Sequence, residues 1–501
     1  MPVLIQIPTG LSSPELEILL AAAQSAIDAG SPTIIVKCFG GYGYACSLNI
    51  YGLKSICKVC KKLTSDGISE LDGVYQVIET PAIPRFSKSR LRNEHLIRHS
   101  RSSIKNYHVE GVDVGQAVYS SYIGLTRDQD LEGYLSDWSL NELMKSSTYL
   151  IPWYRDLLKE FSVVKVIIYN GRQNQYRSLL RVAQQLNIPV DVMEFSGQHS
   201  KCVYLFKNEL PQDLDVLEKS INSVCNNLID VKNRQDIAYE YYSFKRSGGV
   251  VNDIRSYVSD QESGLLPKNW EASKHNVVIF NSSEDEYAAI GGEYDKTLYK
   301  NQTEAITRLC ESTIGDKGIV LWLRIHPNLS KVHWTFAKKL LELESIFPNV
   351  HVIPGTSPIS SYALLDASDK VLSFGSTMGI EAAYWGKPSV LVGRCVYEKF
   401  GSVYAPRSHQ EVVNLILNRN LLPLPVEGAL KIALFWKAGG SKISNFGGDR
   451  SNGFNFRGVQ FKKTIFEVVR YNAYKIIEKF IFGYMINYGV FAIGNKLKRI
   501  K

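Results

Sequence analysis

Short apolar runs alternate with longer segments of helical period along this chain. Residues 3–8 (Val3-Leu4-Ile5-Gln6-Ile7-Pro8) form a short β-type run. Ser13-Pro14-Glu15 then opens a segment in which Leu16, Leu19, Leu20, Ala23 and Ile27 share one helical face. Ser13 suits the N-cap, Pro14 the first helical position, and Gly30 a left-handed stop. Residues 33–37 are the next strand. The rhythm returns at 163–169 (strand), 174–186 (helix) and 189–194 (strand), then fades through a polar, helical-looking stretch at 213–245. From Ser247 to Ser273 turn residues are dense and periodicity is weak, as in a linker.

A second and cleaner run follows. Strands are predicted at 276–280, 318–325, 350–353, 370–374 and 389–392. Helices are predicted at 301–312, 331–346, 358–367, 378–385 and 408–418. Apolar strands alternating with helices predict parallel sheets with helices on both faces. The expected fold class is therefore α/β, with two doubly wound Rossmann-like domains facing across a cleft and a C-terminal helical extension. The boundaries read 1–250, a linker at 251–275, 276–425, and an extension at 426–501. Ligands of such folds gather at the carboxyl ends of the strands, so the residues just after each strand are the candidates.

After 276–280 comes Asn281-Ser282-Ser283-Glu284-Asp285-Glu286, where Ser282 and Ser283 suit either helix capping or ligand binding. After 318–325 comes His326-Pro327, with Arg324 just inside the strand. A histidine there can bind phosphate or transfer a proton, and the proline stiffens its turn. The strongest local signal is Gly375-Ser376-Thr377-Met378-Gly379-Ile380-Glu381-Ala382. A small-residue turn opens a helix directly after a buried strand, which suits a phosphate. Glu381, one turn in, is placed to accept hydrogen bonds from ribose hydroxyls. On the first domain, Asn170-Gly171-Arg172 and Glu194 supply an amide, a guanidinium and a carboxylate at strand ends. Glu194, Asp113 or Asp128 could each deprotonate a hydroxyl, and the sequence does not choose among them.

His326-Pro327, Ser357 at a helix start, and the Gly375-Ser376-Thr377…Glu381-Ala382…Gly386-Lys387-Pro388 run resemble the nucleotide-sugar domain of bacterial GT-B glycosyltransferases. The likeness is to the capsule polysaccharide and O-antigen biosynthesis group, which includes 3-deoxy-manno-octulosonate transferases. Bacterial sialyltransferases of that fold hold CMP with a similar His-Pro and serine pair, here Ser376-Thr377. The resemblance implies a metal-independent glycosyltransferase of surface polysaccharide (capsule or O-antigen) biosynthesis, with no cofactor required and no metal site. Its donor would be a CMP- or UDP-linked nucleotide sugar, bound by Arg324, His326, Ser357, Gly375, Ser376, Thr377, Glu381, Ser282 and Ser283. Glu194 and His326 would be catalytic, and Asn170 and Arg172 would face the acceptor. Two other readings stay open: a UDP-sugar 2-epimerase-like isomerase, and a non-catalytic assembly protein of the polysaccharide machinery.

Composition narrows the partners. Of 501 residues, 58 are Lys or Arg and 49 Asp or Glu, a net charge of +9. The excess is local. Residues 85–105 hold seven basic residues against Glu94, and 465–501 hold seven against Glu467 and Glu478, so the remainder is slightly acidic. That distribution argues for two anion-facing surfaces and against nucleic acid as a partner. The tail carries Tyr474, Phe480, Phe482, Tyr484, Tyr488 and Phe491, and its uncharged run at 480–495 is too short to span a bilayer. It resembles an interfacial anchor. With no signal peptide visible, the expectation is a cytoplasmic protein held peripherally on the inner face of the cytoplasmic membrane, acting on a lipid-linked saccharide. Four of the eight cysteines, Cys38, Cys46, Cys57 and Cys60, lie close in sequence. In a reducing compartment they read as either a structural zinc site or free thiols.

Overall fold

The computed structural model describes residues 1–42, 46–49, 53–83, 101–133, 136–196, 202–227, 231–248, 258, 260–449, 451–469, 472–473 and 476. In chain order it runs β1 (Val3–Ile7), α1 (Glu15–Asp28), β2 (Thr33–Lys37), α2 (Lys54–Ser69), β3 (Tyr75–Glu79), α3 (Val114–Thr126), α4 (Ser136–Glu160), β4 (Lys165–Tyr169), α5 (Asn174–Gln185), β5 (Val190–Phe195) and β6 (Cys202–Lys207). Next come α6 (Leu214–Asn227), α7 (Val231–Arg246), β7 (His275–Phe280), α8 (Glu284–Ala288), α9 (Gln302–Thr313), β8 (Ile319–Arg324), α10 (Thr335–Ile346), β9 (Val350–Ile353), α11 (Ser361–Ala367), β10 (Lys370–Ser373) and α12 (Thr377–Tyr384). The chain closes with β11 (Ser389–Leu391), α13 (His409–Leu417), α14 (Glu427–Ala438), β12 (Ser441–Lys442), β13 (Phe446–Asp449) and β14 (Gly453–Phe456).

Two compact units result. The first comprises Met1–Phe195, Lys201–Pro211 and Ser441–Lys501; the second comprises Ser196–Ser200 and Gln212–Gly440. Helices α6 and α7, expected in the first domain, pack in the second unit, where Tyr242 donates to Ala429 O at 2.8 Å and Lys431 to Asn222 at 3.0 Å.

The first unit holds a seven-stranded sheet in the order β12-β6-β5-β4-β1-β2-β3. Strands β1 to β5 are parallel, as the alternating pattern predicts, while β6 and β12 run antiparallel at one edge. Helix α1 buries Leu16, Leu19, Leu20 and Ala23 completely or nearly so. Its N-cap is Pro14, and the Ser13 hydroxyl instead donates to the Glu17 carboxylate at 3.0 Å. Gly30 does stop the helix, at φ +70°.

The extension at 426–501 is not helical throughout. After α14 the chain adds β12 to the first sheet's edge, and the β13–β14 hairpin sets Phe446, Phe454 and Phe456 into the same core as α1. Phe446, Phe454 and Phe456 alternate with small and polar residues, a two-residue period that a helix would scatter around its axis.

The second unit holds a five-stranded, all-parallel sheet in the order β11-β10-β7-β8-β9. Its central strands β7 and β8 are buried on both faces, as their continuous apolar runs require. One core cluster gathers Phe280, Trp322, Leu364, Leu365 and Val371. Trp322 donates to Asn276 at 2.8 Å, which satisfies its indole N–H inside that core. Both units are doubly wound, as expected.

Candidate functional site

In each sheet the strand order reverses at one point, where two helices leave in opposite directions and a crevice opens. In the second unit that point lies between β7 and β10. Register pairs Phe280 with Ser373 on one side and with Arg324 on the other. Asn281–Ser283, His326 and Gly375–Thr377 therefore sit at the ends of three adjacent strands, as expected from the sequence.

Asn281 is buried and accepts from the His326 backbone N–H at 2.7 Å, while its Nδ2 has no hydrogen-bond partner in the structure. His326 Nδ1 accepts from the Asn328 N–H at 3.2 Å and lies 3.5 Å from Ser283 Oγ. With Nδ1 accepting, the proton of the neutral ring belongs on Nε2. Ser376 is the N-cap of α12, its Oγ accepting from Met378 N at 3.3 Å. Gly375 makes the turn at φ +87°, a conformation that favours glycine. Gly379 serves packing, since a Cβ there would lie 2.2 Å from Ser373 Oγ.

The remaining expected donor residues have other engagements. Ser282 Oγ donates to Phe374 O and accepts from Gln302 Nε2, both at 2.7 Å, and so braces the two strand ends. Arg324 is buried and donates to Pro354 O at 2.7 Å and Ser357 O at 3.1 Å, fixing the loop that carries Ser357. Burial lowers its pKa to about 10, so its charge is held at some cost. Glu381 is buried beneath α12, with Oε1 2.6 Å from Lys245 Nζ and Oε2 2.5 Å from the Tyr362 hydroxyl. Lys245 also reaches Thr377 Oγ1 at 3.1 Å. Sequence reading missed Lys245, because it stands 132 residues from Thr377 on a helix expected in the other domain.

In the first unit the strand order reverses between β1 and β4. Helices α1 and α5 start there, and their first turns meet: the Tyr176 hydroxyl donates to Glu15 Oε1. Asn170, Arg172 and Glu194 are also together. Asn170 Nδ2 donates to Glu194 Oε2 at 2.6 Å, and the Tyr169 hydroxyl to Oε1 at 3.2 Å. Burial raises the Glu194 pKa, against hydrogen bonds from Asn170 and Tyr169 and the Arg172 charge. Burial also pushes Glu15 up to about 7, with the Tyr176 and Ser12 hydroxyls opposing and Glu194 and Glu17 adding to the rise. Both carboxylates keep partial exposure. Partly exposed, perturbed acids near a strand-order reversal are candidates for a functional site.

Asp113 and Asp128 are committed elsewhere. Burial alone would raise Asp113, but the Arg181 fork and the Arg177 charge hold it at about 2. Asp128 caps a turn, accepting from Gly133 N at 2.7 Å, Glu132 N at 2.8 Å and the Tyr122 hydroxyl at 2.7 Å. Cys38, Cys46, Cys57 and Cys60 form no disulfide. Burial pushes Cys38 up to about 11 and raises Cys46 and Cys60 as well. Among the described residues no group of three or more His, Cys, Asp or Glu is gathered to hold a metal ion. Most of the basic segment 85–105 and the tail from 477 onward lie outside the described residues. Among the described residues no helix is long and apolar enough to cross a membrane.

Residues 182–411, just under half of the chain, match the model of the capsule polysaccharide biosynthesis protein family. No curated protein sequence matches. The chain is similar to the solved Thermosulfurimonas dismutans KpsC β-Kdo 2,4 transferase, at 13% identity and TM-score 0.36 over 54% of this chain and 79% of that one. The KpsC β-Kdo 2,7 transferase of the same organism gives 15% identity and TM-score 0.32 over 56% and 78%. The UDP-GlcNAc 2-epimerase of Neisseria meningitidis gives 12% and 0.23 over 87% and 99%.

Proposed function

We propose that this chain, which carries the capsule polysaccharide biosynthesis family's sequence over residues 182–411, is a glycosyltransferase. It takes a sugar from a CMP- or UDP-linked donor and passes it to a saccharide acceptor during assembly of a surface polysaccharide. One observation carries the reading. Where the second sheet reverses its strand order, a buried amide donor without a partner (Asn281 Nδ2), a histidine at a strand end, a capped helix start and Lys245 are grouped.

A nucleotide phosphate suits that set. The first turn of α12 offers backbone N–H groups and the favourable end of the helix dipole. Lys245 adds a full positive charge beside Thr377. His326, protonated on Nε2, donates a hydrogen bond to the same phosphate. Each of these gains strength as the nucleotide leaves and its negative charge grows, which is where stabilisation accelerates transfer. Glu381 acts through Lys245, holding the ammonium where the phosphate needs it. No metal enters this scheme.

The acceptor belongs to the first unit, at Asn170, Arg172 and the carboxylates beside them. A lipid-linked acceptor at the inner face of the cytoplasmic membrane fits the C-terminal segment. Ile465, Phe466, Val469 and Ile476 are each at least 60% exposed, and the basic, aromatic residues 477–501 follow. Sedimentation with anionic-lipid vesicles, for the full chain and a chain ending at 464, tests that part.

Calorimetric titration with CMP, UDP, CDP and GDP tests the donor site. One nucleotide should bind the wild type and bind at least tenfold more weakly to Ser376→Ala, His326→Ala and Lys245→Ala. Failure of all four nucleotides to bind overturns the assignment.

A further inference from the structure

We propose that Glu15 is the group that takes the proton from the acceptor hydroxyl, with Tyr176 as the residue that positions it. The inference rests on the glycosyltransferase reading and names the proton acceptor within it. Three observations converge on this residue.

The first is place. Glu15 opens α1, which leaves β1, and Tyr176 stands in the first turn of α5, which leaves β4. These strands are neighbours, and the order of the sheet reverses between them. The Glu15–Tyr176 hydrogen bond therefore spans the crevice where such sheets bind ligands.

The second is the contrast between the two carboxylates. Both oxygens of Glu194 are taken, one by the Asn170 amide at 2.6 Å and one by the Tyr169 hydroxyl at 3.2 Å, and the Arg172 charge further favours its ionised form. Glu15 is held by Tyr176, which is itself buried and kept protonated by that burial, with the Ser12 hydroxyl beside it. The charged and titratable groups facing Glu15 are Glu17 on its own helix, Glu194 on β5, Tyr169 on β4 and Tyr176 on α5. Burial raises both carboxyls, but at Glu194 the Asn170 amide, the Arg172 charge and the Tyr169 hydroxyl oppose it. At Glu15 two hydroxyls oppose it and two neighbouring carboxylates add to the rise, which leaves Glu15 poised near neutrality to accept a proton.

The third points to a ligand. Gln6 on β1 donates to Gln175 O and to the Tyr154 hydroxyl, both at 2.7 Å. Its own Oε1 and that of Gln175 are buried and have no hydrogen-bond partner. Two buried acceptors without donors, on the residues that bracket the reversal, suit a ligand rich in hydroxyl groups, as a saccharide is.

The step balances simply. The acceptor oxygen forms a bond to the anomeric carbon as its proton passes to Glu15. The bond from the anomeric carbon to the donor phosphate breaks, and the nucleotide leaves with the electron pair.

The test is a pH–rate profile of sugar transfer for wild type, Glu15→Gln, Glu194→Gln and Tyr176→Phe, with nucleotide binding titrated in each. We expect a wild-type profile with an acid limb near pH 7. Glu15→Gln should lose roughly 10²–10⁴-fold in kcat, lack that limb and bind nucleotide as wild type does. Tyr176→Phe should keep the limb but move it to higher pH, since a hydrogen bond that favours the anion is gone. An acid limb that survives in Glu15→Gln and vanishes in Glu194→Gln overturns the proposal while leaving the transferase reading standing. Absence of nucleotide binding by the wild type overturns that reading and this inference with it.

Discussion

Lys245 of α7 stands 2.6 Å from Glu381 of α12, and the carboxylate it meets is almost wholly buried. Four groups share that spot, because the Tyr362 hydroxyl donates to the other oxygen and the ammonium also reaches Thr377 Oγ1 at 3.1 Å. A charge so placed is stable only while its partners remain.

Removing Lys245 should therefore cost more than a surface lysine does. Lys245→Ala leaves the Glu381 charge buried and short of a partner, and we expect a loss of roughly 3 kcal/mol by urea unfolding. Lys245→Ala combined with Glu381→Gln should recover part of that stability. Nucleotide affinity should stay low in both, because the positive charge beside Thr377 is absent in each.

Glu15 makes stability depend on pH. Folded, it holds its proton up to about pH 7, whereas the unfolded chain releases it near pH 4.3. The folded state binds more protons between those values, so this group's contribution is full below the lower one. It is lost as pH rises through the upper one. Glu15→Gln removes the effect. The variant's Tm relative to wild type should rise between pH 5 and pH 8 by at least ~2 °C in scanning calorimetry.

Asp113 carries the opposite sign. Its folded pKa of about 2 lies below the unfolded value near 3.9, so its contribution is present above the latter. That contribution disappears as pH falls through 2. Asp113→Asn should destabilise by roughly 2–3 kcal/mol at pH 7, because it strands the fully buried Arg177. The gap to wild type should shrink steadily in denaturant titrations from pH 5 to pH 2.

Lys370 supplies a fourth check. It is buried, and its ammonium donates to Leu415 O, Ile416 O and Asn418 O at 2.7–2.9 Å, the carbonyls that end α13. Lys370→Met keeps the volume and removes all three bonds. Hydrogen exchange at the last turn of α13 should speed up by at least about tenfold, with the β7–β8 core much less affected.

The second unit's sheet was largely legible from sequence because its central strands β7 and β8 are continuous apolar runs buried on both faces. Val277 to Phe280 and Ile319 to Leu323 could scarcely be anything else. In the first unit, β3 has an exposed strand's mixed composition, and α4 carries Pro152 within the helix, so neither announced itself. Candidate residues that follow strands, such as His326 and Ser376, or stand near a strand's end, such as Glu194 in β5, could be found by position alone. Glu15 could not: a glutamate in a helix's first turn reads as a dipole partner, and its distinguishing neighbour Tyr176 is 161 residues away. Lys245 was hidden likewise, by a boundary placed at a run of glycines when the helices before it pack into the second unit.

The β12 strand and the hairpin after it have a consequence for biosynthesis. Residues 212–440 are contiguous and can close their sheet while still attached to the ribosome. The first unit cannot finish then, although most of it is made earlier. The edge of β6 and the apolar face of α1 wait for Ser441–Lys442 and for Phe446, Phe454 and Phe456. During that interval a nascent chain presents an open strand edge to its neighbours on a polysome. A transcript cut short after codon 440 would leave that edge open permanently, and its product is the form a cell would have to clear.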